Sequence, residues 1–473
     1  MNVFGILAER GFDTVPASFY GQVKKWQSWY DGYVKDFHTY HVFNGQHRVE
    51  CKRYSAGMPK KVCEDMANLL MNEKVSITLE GEAEQKFVDA VLQANNFWVK
   101  VNEMQELKSC SGTTAYIPRV MGAVINAESG EMLGKADEIK MDYCTAEHIY
   151  PLSWENGHVT ECAFTSGKVV DGKTYLYMQI HRKENGLYVI ENLLFESDKG
   201  GLKEVDMATV KGFESVPPVI RTNSTERQFV LDRLNIVNNV DPSLPMGVSV
   251  FANAIDNIKG VDVAYDSYVN EFVLGKKRIM VKPEAQKDID GNPVFDPNDT
   301  VFYVLPEDSE SGSVIEPVDM TLRIADHASG LQDMLNMLSA KCGFGENHYR
   351  FNNGNISTAT QIVAENSTLF RTIKKHEIIL KDVLVELCRI ILRLGNAYMG
   401  ATLDEDVEIS VDFDDSIIED ESANFARDMQ LLNAGIMNDW EFRAKWMNED
   451  EDTAKKMLPR LQDMVDEGQD DVE

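Results

Sequence analysis

The stretch TATQIVAENSTLFRTIKKHEIILKDVLVELCRIILRL, residues 358–394, decides how the rest of the chain is read. Ile362, Leu369, Ile373, Leu380, Val383, Leu384, Leu387, Ile390, Ile391 and Leu394 recur at steps of three and four, the spacing of one apolar helical face. Thr358 and Gln361 have the T-x-x-Q spacing of a capping box, and Gly395-Asn396 supplies a stop. No Pro or Gly interrupts the run, so at a helical rise per residue it predicts a helix about 55 Å long. A helix of that length spans an architecture instead of filling one layer of it.

Working upstream, CGFGENHYRFNNGNIS (342–357) is a Gly- and Asn-rich loop that cannot be helical throughout. Before it, residues 319–341 carry Ile324, Ala328, Leu331, Leu335 and Leu338 at helical spacing. Residues 249–273 form a third helical pattern. It has Phe251, Ala254, Ile255, Ile258, Val261, Tyr265, Tyr268 and Phe272 on one stripe and Lys259, Asp262, Asp266 and Asn270 on another. Between these two helices, residues 275–318 read as a β-like insertion: KKRIMVKP and DTVFYVLP as strands, with DIDGNP as a hairpin-type turn.

The N-terminal part opens on helical patterns. Residues 16–37 begin at Pro16 and place Phe19, Val23, Trp26, Tyr30, Tyr33 and Phe37 on one face, with the tryptophans as core anchors. Residues 58–72 follow, with Met58, Val62, Met66 and Leu69 inward, then helices near 82–95 and 98–111 closing at Ser111-Gly112. From 114 to 200 the period changes to alternation, with turn clusters at SGE, ENG, DGK and a second ENG, which predicts an antiparallel sheet of about five strands. Residues 201–245 read as irregular, VEISVDFDD (407–415) as a strand, and 420–467 as short helices split by Gly435 and the NEDED run. The fold class is therefore α+β and helix-rich.

The chain has 473 residues, 43% of them hydrophobic and 26% charged, the balance of a soluble globular protein with material for more than one domain. Its apolar runs are too short to span a bilayer, and MNVFGILAERGF lacks a basic n-region and meets Glu9 early, unlike a signal peptide. Seven scattered cysteines without a C-x-x-C read as reduced thiols of an intracellular protein. The net charge is −30, and from residue 401 onward 23 acidic against 6 basic side chains leave −17. Such acidity opposes tight wrapping of nucleic acid, which draws its affinity from Lys and Arg on phosphates.

The usual chemistry is missing. There is no phosphate loop, no dinucleotide fingerprint around Gly343 and Gly345, no H-E-x-x-H and no G-x-S-x-G. Asp288, Asp290, Gly291 and Asn292 suit a turn better than a calcium loop, and Asp412, Asp414 and Asp415 a strand end better than a metal site. His376 reads as a packing or hydrogen-bonding residue. No catalytic, cofactor or metal residue is assigned.

One block says more than periodicity does. MGVSVFANAIDNIKGVDVAYDSYVNEFVLGKKRIMV (246–281) resembles the stem segment of tailed-phage portal proteins of the SPP1-like family. MPKKVCEDMANLLMNE (58–73), YLYMQIHRKENGLYVIENLLF (175–195), STATQIVAENSTLFRTIKKHE (357–377) and VDFDDSIIEDESA (411–423) agree with it in order and spacing. The resemblance implies a portal fold: an α/β wing over 1–245, stem helices over 246–274 and 319–342, and a small α/β clip over 275–318. It further implies a tunnel loop at 343–357, the long helix with a wing strand over 358–419, and a helical crown with acidic tail over 420–473. In that family the long helix is kinked.

It also implies a ring, usually of twelve subunits, at one capsid vertex, through which DNA is packaged and ejected. The partners implied are further copies of the chain, the terminase large subunit that holds the ATPase, a head–tail adaptor, and the major capsid and scaffolding proteins. Double-stranded DNA would be contacted weakly, and no membrane is involved. The location implied is the virion, after assembly in the host cytoplasm. Phe344, Glu346, Asn347, His348 and Arg350 become candidates to face DNA, and Lys259, Asp262, Asp266 and Asn270 the polar stripe of the stem. Lys276, Lys277, Arg278, Glu307, Asp308 and Glu310 become candidates for docking at the clip. Two other readings stand beside this one: a head–tail adaptor or structural virion protein without a DNA channel, and an enzyme whose motif is not recognised.

Overall fold

The decisive stretch is helical from Ala359 to Leu394, 36 residues, or about 54 Å at the rise of an α-helix. From Ile373 onward its predicted face is buried: Ile373, Leu380, Val383, Leu384, Leu387, Ile390, Ile391 and Leu394 are all at most 4% exposed. The α-helix ends before Gly395 as the stop signal requires, and one wider turn, Gly395–Met399, follows it. Gly395 lies so close to the Phe87 ring that a Cβ would come within 2.6 Å of it. His376 is buried and accepts the Asn235 N–H at Nδ1 over 3.1 Å. Burial lowers its pKa to about 3, so it serves as the neutral packing residue expected of it.

The computed structural model describes residues 2–43, 45–71, 75–126, 129–131, 134–275, 278–281, 302–304, 315–318, 321–350, 359–413, 421–447 and 449–457. Thr358, the first residue of the expected capping box, lies outside the described residues. The chain divides into two units, one of Met1–Ile356 with Arg371–Phe413 and one of Ser357–Phe370 with Asp414–Glu473.

In the first unit the alternating segment makes two sheets, a correction to the single five-stranded sheet expected. Thr113–Met121 pairs with Glu138–Thr145 and with Val230–Arg233, a strand inside the stretch read as irregular. Ile149–Glu155, His158–Val170, Lys173–Glu184, Leu187–Asp198 and Gly201–Val205 form an antiparallel meander, and Val219–Arg221 adds to Leu187–Asp198. Three of its turns are Asn156-Gly157, Asp171-Gly172 and Asn185-Gly186, with φ positive at both residues of each pair. That is the two-residue turn whose twist matches the strands it joins, so here the dipeptide fixed the hairpin. The strand in VEISVDFDD, Ile409–Asp412, finds its antiparallel partner in Ser76–Leu79.

The first long amphipathic pattern does not run to residue 37. The helix is Ala17–Tyr30, and Gly32, at φ +85°, turns the chain before a short Lys35–His38 turn. Phe19, Val23 and Trp26 are buried as predicted, Trp29 joins them, and Tyr33 is left 49% exposed. In the next helix, Met58–Leu70, it is Leu70 and not Leu69 that turns inward, together with Cys63 and Ala67. Glu82–Ala94 and Phe97–Ser111 form where expected, the latter closed by Gly112 in the left-handed region.

The helix expected over 249–273 begins later, with a 3₁₀ turn at Ala252–Ala254 and α-helix over Ile255–Leu274. The preceding residues run past the end of the Phe97–Ser111 helix, where Val250 N–H donates to Ser109 O over 2.9 Å. Gly112 and Gly247 meet backbone to backbone there, and a Cβ on either would lie within 2.4 Å of the other's carbonyl oxygen. The second helix is Ile324–Cys342.

Between them Arg278–Val281 pairs in parallel with Phe302–Val304 and antiparallel with Ile315–Val318. The parallel pairing corrects the hairpin expectation, because parallel strands need a crossover that a tight turn cannot provide. The DIDGNP turn itself lies outside the described residues.

The second unit contains helices Glu421–Asn433, Asp439–Met447 and Glu451–Lys456, with Gly435 turning the chain between the first two. Phe425, Phe442 and Trp446 cluster there, with Phe425 centred 5.0 Å from Trp446. Lys445 pairs with Asp428 over 2.6 Å beside them.

Candidate functional site

Helices Ile255–Leu274 and Ile324–Cys342 lie side by side, and the close fit at Gly260, where a Cβ would be 3.2 Å from Met334 Sδ, sets their approach. Their apolar stripes explain the pairing: Ile255, Ile258 and Val261 on one, Leu331, Leu335 and Leu338 on the other, are buried.

The polar stripe of the first helix is not a continuous solvent-facing row. Asp262 and Asp266 are only 1% and 7% exposed. Asp262 accepts from Ala56 N–H at 2.7 Å and lies 3.1 Å from His38 Nε2, with the Ser55 hydroxyl at 3.4 Å. Val34 N–H donates to the other ring nitrogen of His38 at 2.8 Å, which assigns the ring proton to Nε2 and makes it a donor to Asp262. Asp266 accepts from Tyr54 N–H at 3.0 Å. Only Lys259, paired with Asp256 over 2.9 Å, and the half-buried Asn270 behave as the sequence pattern suggested.

At the far end of the pair, Glu271 accepts a fork from Arg323, Nε at 3.1 Å and Nη2 at 2.8 Å, and the Arg323 N–H at 3.0 Å. His327 Nε2 is 3.3 Å from the same carboxylate and stacks on Tyr268. The Arg323 guanidinium and N–H hold the Glu271 carboxyl well below its usual range, at about 2. Here apolar side chains are uncovered: Phe272, Val273, Leu274 and Ile324 are between 42% and 59% exposed.

The loop after the second helix starts at Gly343, in the left-handed region, and folds back on the body. Phe344 is 3% exposed and stacks on His348 with centroids 4.7 Å apart. It is therefore an anchor and does not face outward. His348 Nε2 also lies 3.6 Å from Asp65 on the Met58–Leu70 helix. Burial alone would raise the Asp65 pKa, but the hydrogen bonds from His348 and Lys61 outweigh it and lower it. Gln332 Nε2 donates to Tyr349 O at 2.8 Å, and the Ser339 hydroxyl to Gly345 O at 2.5 Å. Glu346 and Arg350 are exposed and Asn347 is half-buried. Residues 351–358, and with them the rest of the loop, lie outside the described residues.

So do Lys276, Lys277, Glu307, Asp308 and Glu310, together with Asp288, Asp290, Gly291, Asn292, Asp414 and Asp415. Arg278 is described only as a strand residue. Among the described residues no group of three or more His, Cys, Asp or Glu is placed to hold a metal ion, and no helix is long and apolar enough to cross a membrane. Six of the seven cysteines are buried, all are free, and burial pushes thiols such as Cys342 up to about 12.

One buried ion pair carries a signal in the sequence. Lys108 Nζ lies 2.9 Å from Asp232 Oδ1, with exposures of 1% and 0%, and Gln105 donates to the same carboxylate at 2.7 Å. Phe97, Val101, Met104 and Lys108 stand on one helical face, so a lysine in that stripe announces a buried acidic partner. The clamp of His38, Ser55 and Ala56 on Asp262 had no such signal, being separated from it by about two hundred residues.

A family model described as "Phage portal protein, SPP1 Gp6-like" matches residues 16–470. Among solved structures, the neck of a native GTA particle computed with C12 symmetry is 12% identical with a TM-score of 0.39, over 82% of this chain and 89% of that one. The neck of an empty GTA particle computed with C6 symmetry is 11% identical with a TM-score of 0.38, over 87% of this chain and 89% of that one. Both likenesses are slight. Among curated proteins none matches.

Proposed function

The chain belongs to the SPP1 Gp6-like family of phage portal proteins, and on that premise we propose that it forms a ring of identical subunits, a dodecamer, at one vertex of a phage capsid. The family is one of structural virion proteins and not of enzymes. The ring encloses the channel through which double-stranded DNA enters during packaging and leaves during ejection.

The observation that carries this reading is the excursion of two paired helices bracketing a small three-stranded sheet. Ile255–Leu274 and Ile324–Cys342 are the stem, and residues 275–318 the clip on which terminase and later a head–tail adaptor dock. Residues 1–245 are the wing and residues 420–473 the crown. The uncovered apolar side chains at the far end of the helix pair suit a contact with the next subunit, since a heterologous interface that closes on itself makes a ring. Glu346, His348 and Arg350 are the exposed residues of the loop that would come nearest to DNA, and the net charge of −30 suits a channel in which phosphates must slide.

Light scattering and negative-stain images of the purified chain test this. Rings with a central hole are expected, without added nucleotide or metal. A single-chain species as the only form at micromolar protein under several salt conditions would overturn it.

A further inference from the structure

The two buried aspartates of the stem helix hold something that the portal reading leaves unused. Thr39–Phe43 and Arg48–Lys52 form an antiparallel hairpin, and among the described residues it pairs with no other strand. Its feet are the residues that Asp262 and Asp266 bind: His38 just before the first strand, Tyr54 and Ala56 just after the second. Arg53 stiffens the same foot, with its guanidinium 4.3 Å from the centre of the Phe37 ring and 4.9 Å from that of Tyr40. Two buried carboxylates thus fix the direction of an element that is itself mostly exposed.

The register divides the hairpin into unlike faces. Tyr40 stands opposite Cys51 and Val42 opposite Val49, so one face is wholly apolar. Thr39 with Lys52, His41 with Glu50 and Phe43 with Arg48 make the other. Val42 is 47% exposed and Val49 37%. An isolated two-stranded hairpin is marginal in water, and one that leaves its apolar face open is completed by a surface from outside.

We propose that residues 39–52 are an arm that lays its Tyr40–Val42–Val49–Cys51 face on a second copy of this chain. Charge favours that occupant. Residues 39–54 carry Arg48, Lys52 and Arg53 against Glu50 alone, whereas the whole chain is at −30, so a neighbouring copy offers an acidic surface to a basic arm. The one cation beside this face, Arg53, is already engaged by the Phe37 and Tyr40 rings and the Phe37 carbonyl, which speaks against nucleic acid, whose phosphates are held by cations open to them. An arm on one subunit and its seat on the next is also the asymmetric contact from which closed rings are built. This inference rests on the ring proposed above.

Cys51 reports on it directly, because it is the one cysteine that is not buried. In assembled wild-type protein, maleimide labelling of Cys51 should be at least about tenfold slower than in urea-unfolded chain, since a covered thiol is inert. The chain carrying Val42→Ser and Val49→Ser should keep its circular dichroism and Tm, shift in light scattering from ring to single chain, and label rapidly. Rings formed by this variant as readily as by wild type would overturn the arm and leave the ring standing. Equal labelling of Cys51 in wild-type rings and in unfolded chain would do the same. A variant that assembles normally but loses retention of double-stranded DNA would reassign the face to nucleic acid. A wild-type chain that never forms rings would overturn both readings.

Discussion

Two stretches of the helix pair use the same kind of bond to different effect. Midway along Ile255–Leu274, Asp262 and Asp266 are buried and each holds backbone or ring N–H groups of residues 38–56. At the far end, Glu271 holds Arg323, whose side chain is 65% exposed. A buried carboxylate whose partners have no water to turn to fixes geometry, because breaking it leaves unsatisfied groups in a dry interior. A carboxylate paired with an exposed guanidinium exchanges it for water at little cost and is screened by salt. The middle of the pair is therefore rooted, and its far end is left adjustable.

The largest break in that contrast should come from Asp262→Ala. It orphans the Ala56 N–H and the His38 Nε2–H together, and the expected loss is about 3 kcal/mol or more, read as a lower urea midpoint. Asp262→Asn, which keeps the size and one acceptor, should recover part of it. An unchanged midpoint for Asp262→Ala would mean that the root is not held there.

A smaller loss is expected for Asp266→Ala, which frees only the Tyr54 N–H, at about 1 kcal/mol. Because that bond anchors the second foot of the hairpin, hydrogen exchange in residues 48–54 should quicken more than elsewhere. A uniform change over the whole chain would refute the local assignment.

The least effect should come from Glu271→Gln at the far end. Tm at physiological salt should stay as in wild type. In wild type the pairing should also survive acid: the carboxyl is held at about 2, below its ordinary 4.5, so its contribution is complete above about pH 4.5 and is lost only as pH falls through about 2. Nuclear magnetic resonance titration of the Glu271 side-chain carbons would check this, and a midpoint near the ordinary glutamate value would show the fork to be open in solution.

Much of this architecture was legible in local sequence. The long helix, the Ser111-Gly112 closure and the three Asn-Gly or Asp-Gly turns are decided by residues within a few positions of one another. The site was less so. Phe344 sits in a loop whose composition permits either an inward or an outward path, and only its stacking on His348, itself exposed and near Asp65, set it inward.

The sequence by itself determined the long helix, the helices between 58 and 111 and the hairpins at Asn-Gly and Asp-Gly, because side-chain periodicity and turn chemistry act over short range, whereas Ser76–Leu79 and Val230–Arg233 became strands by finding a partner. Tertiary structure alone decided which strands share a sheet, and that Arg278–Val281 runs parallel to Phe302–Val304. It also let the first helix of the pair begin only at Ile255, after the chain has bonded through Val250 to the end of Phe97–Ser111 and made a 3₁₀ turn. It alone turned a stripe of aspartates from solvent to core. A carboxylate on a helix is polar in any sequence pattern, and it is buried only where distant backbone arrives with the donors to satisfy it.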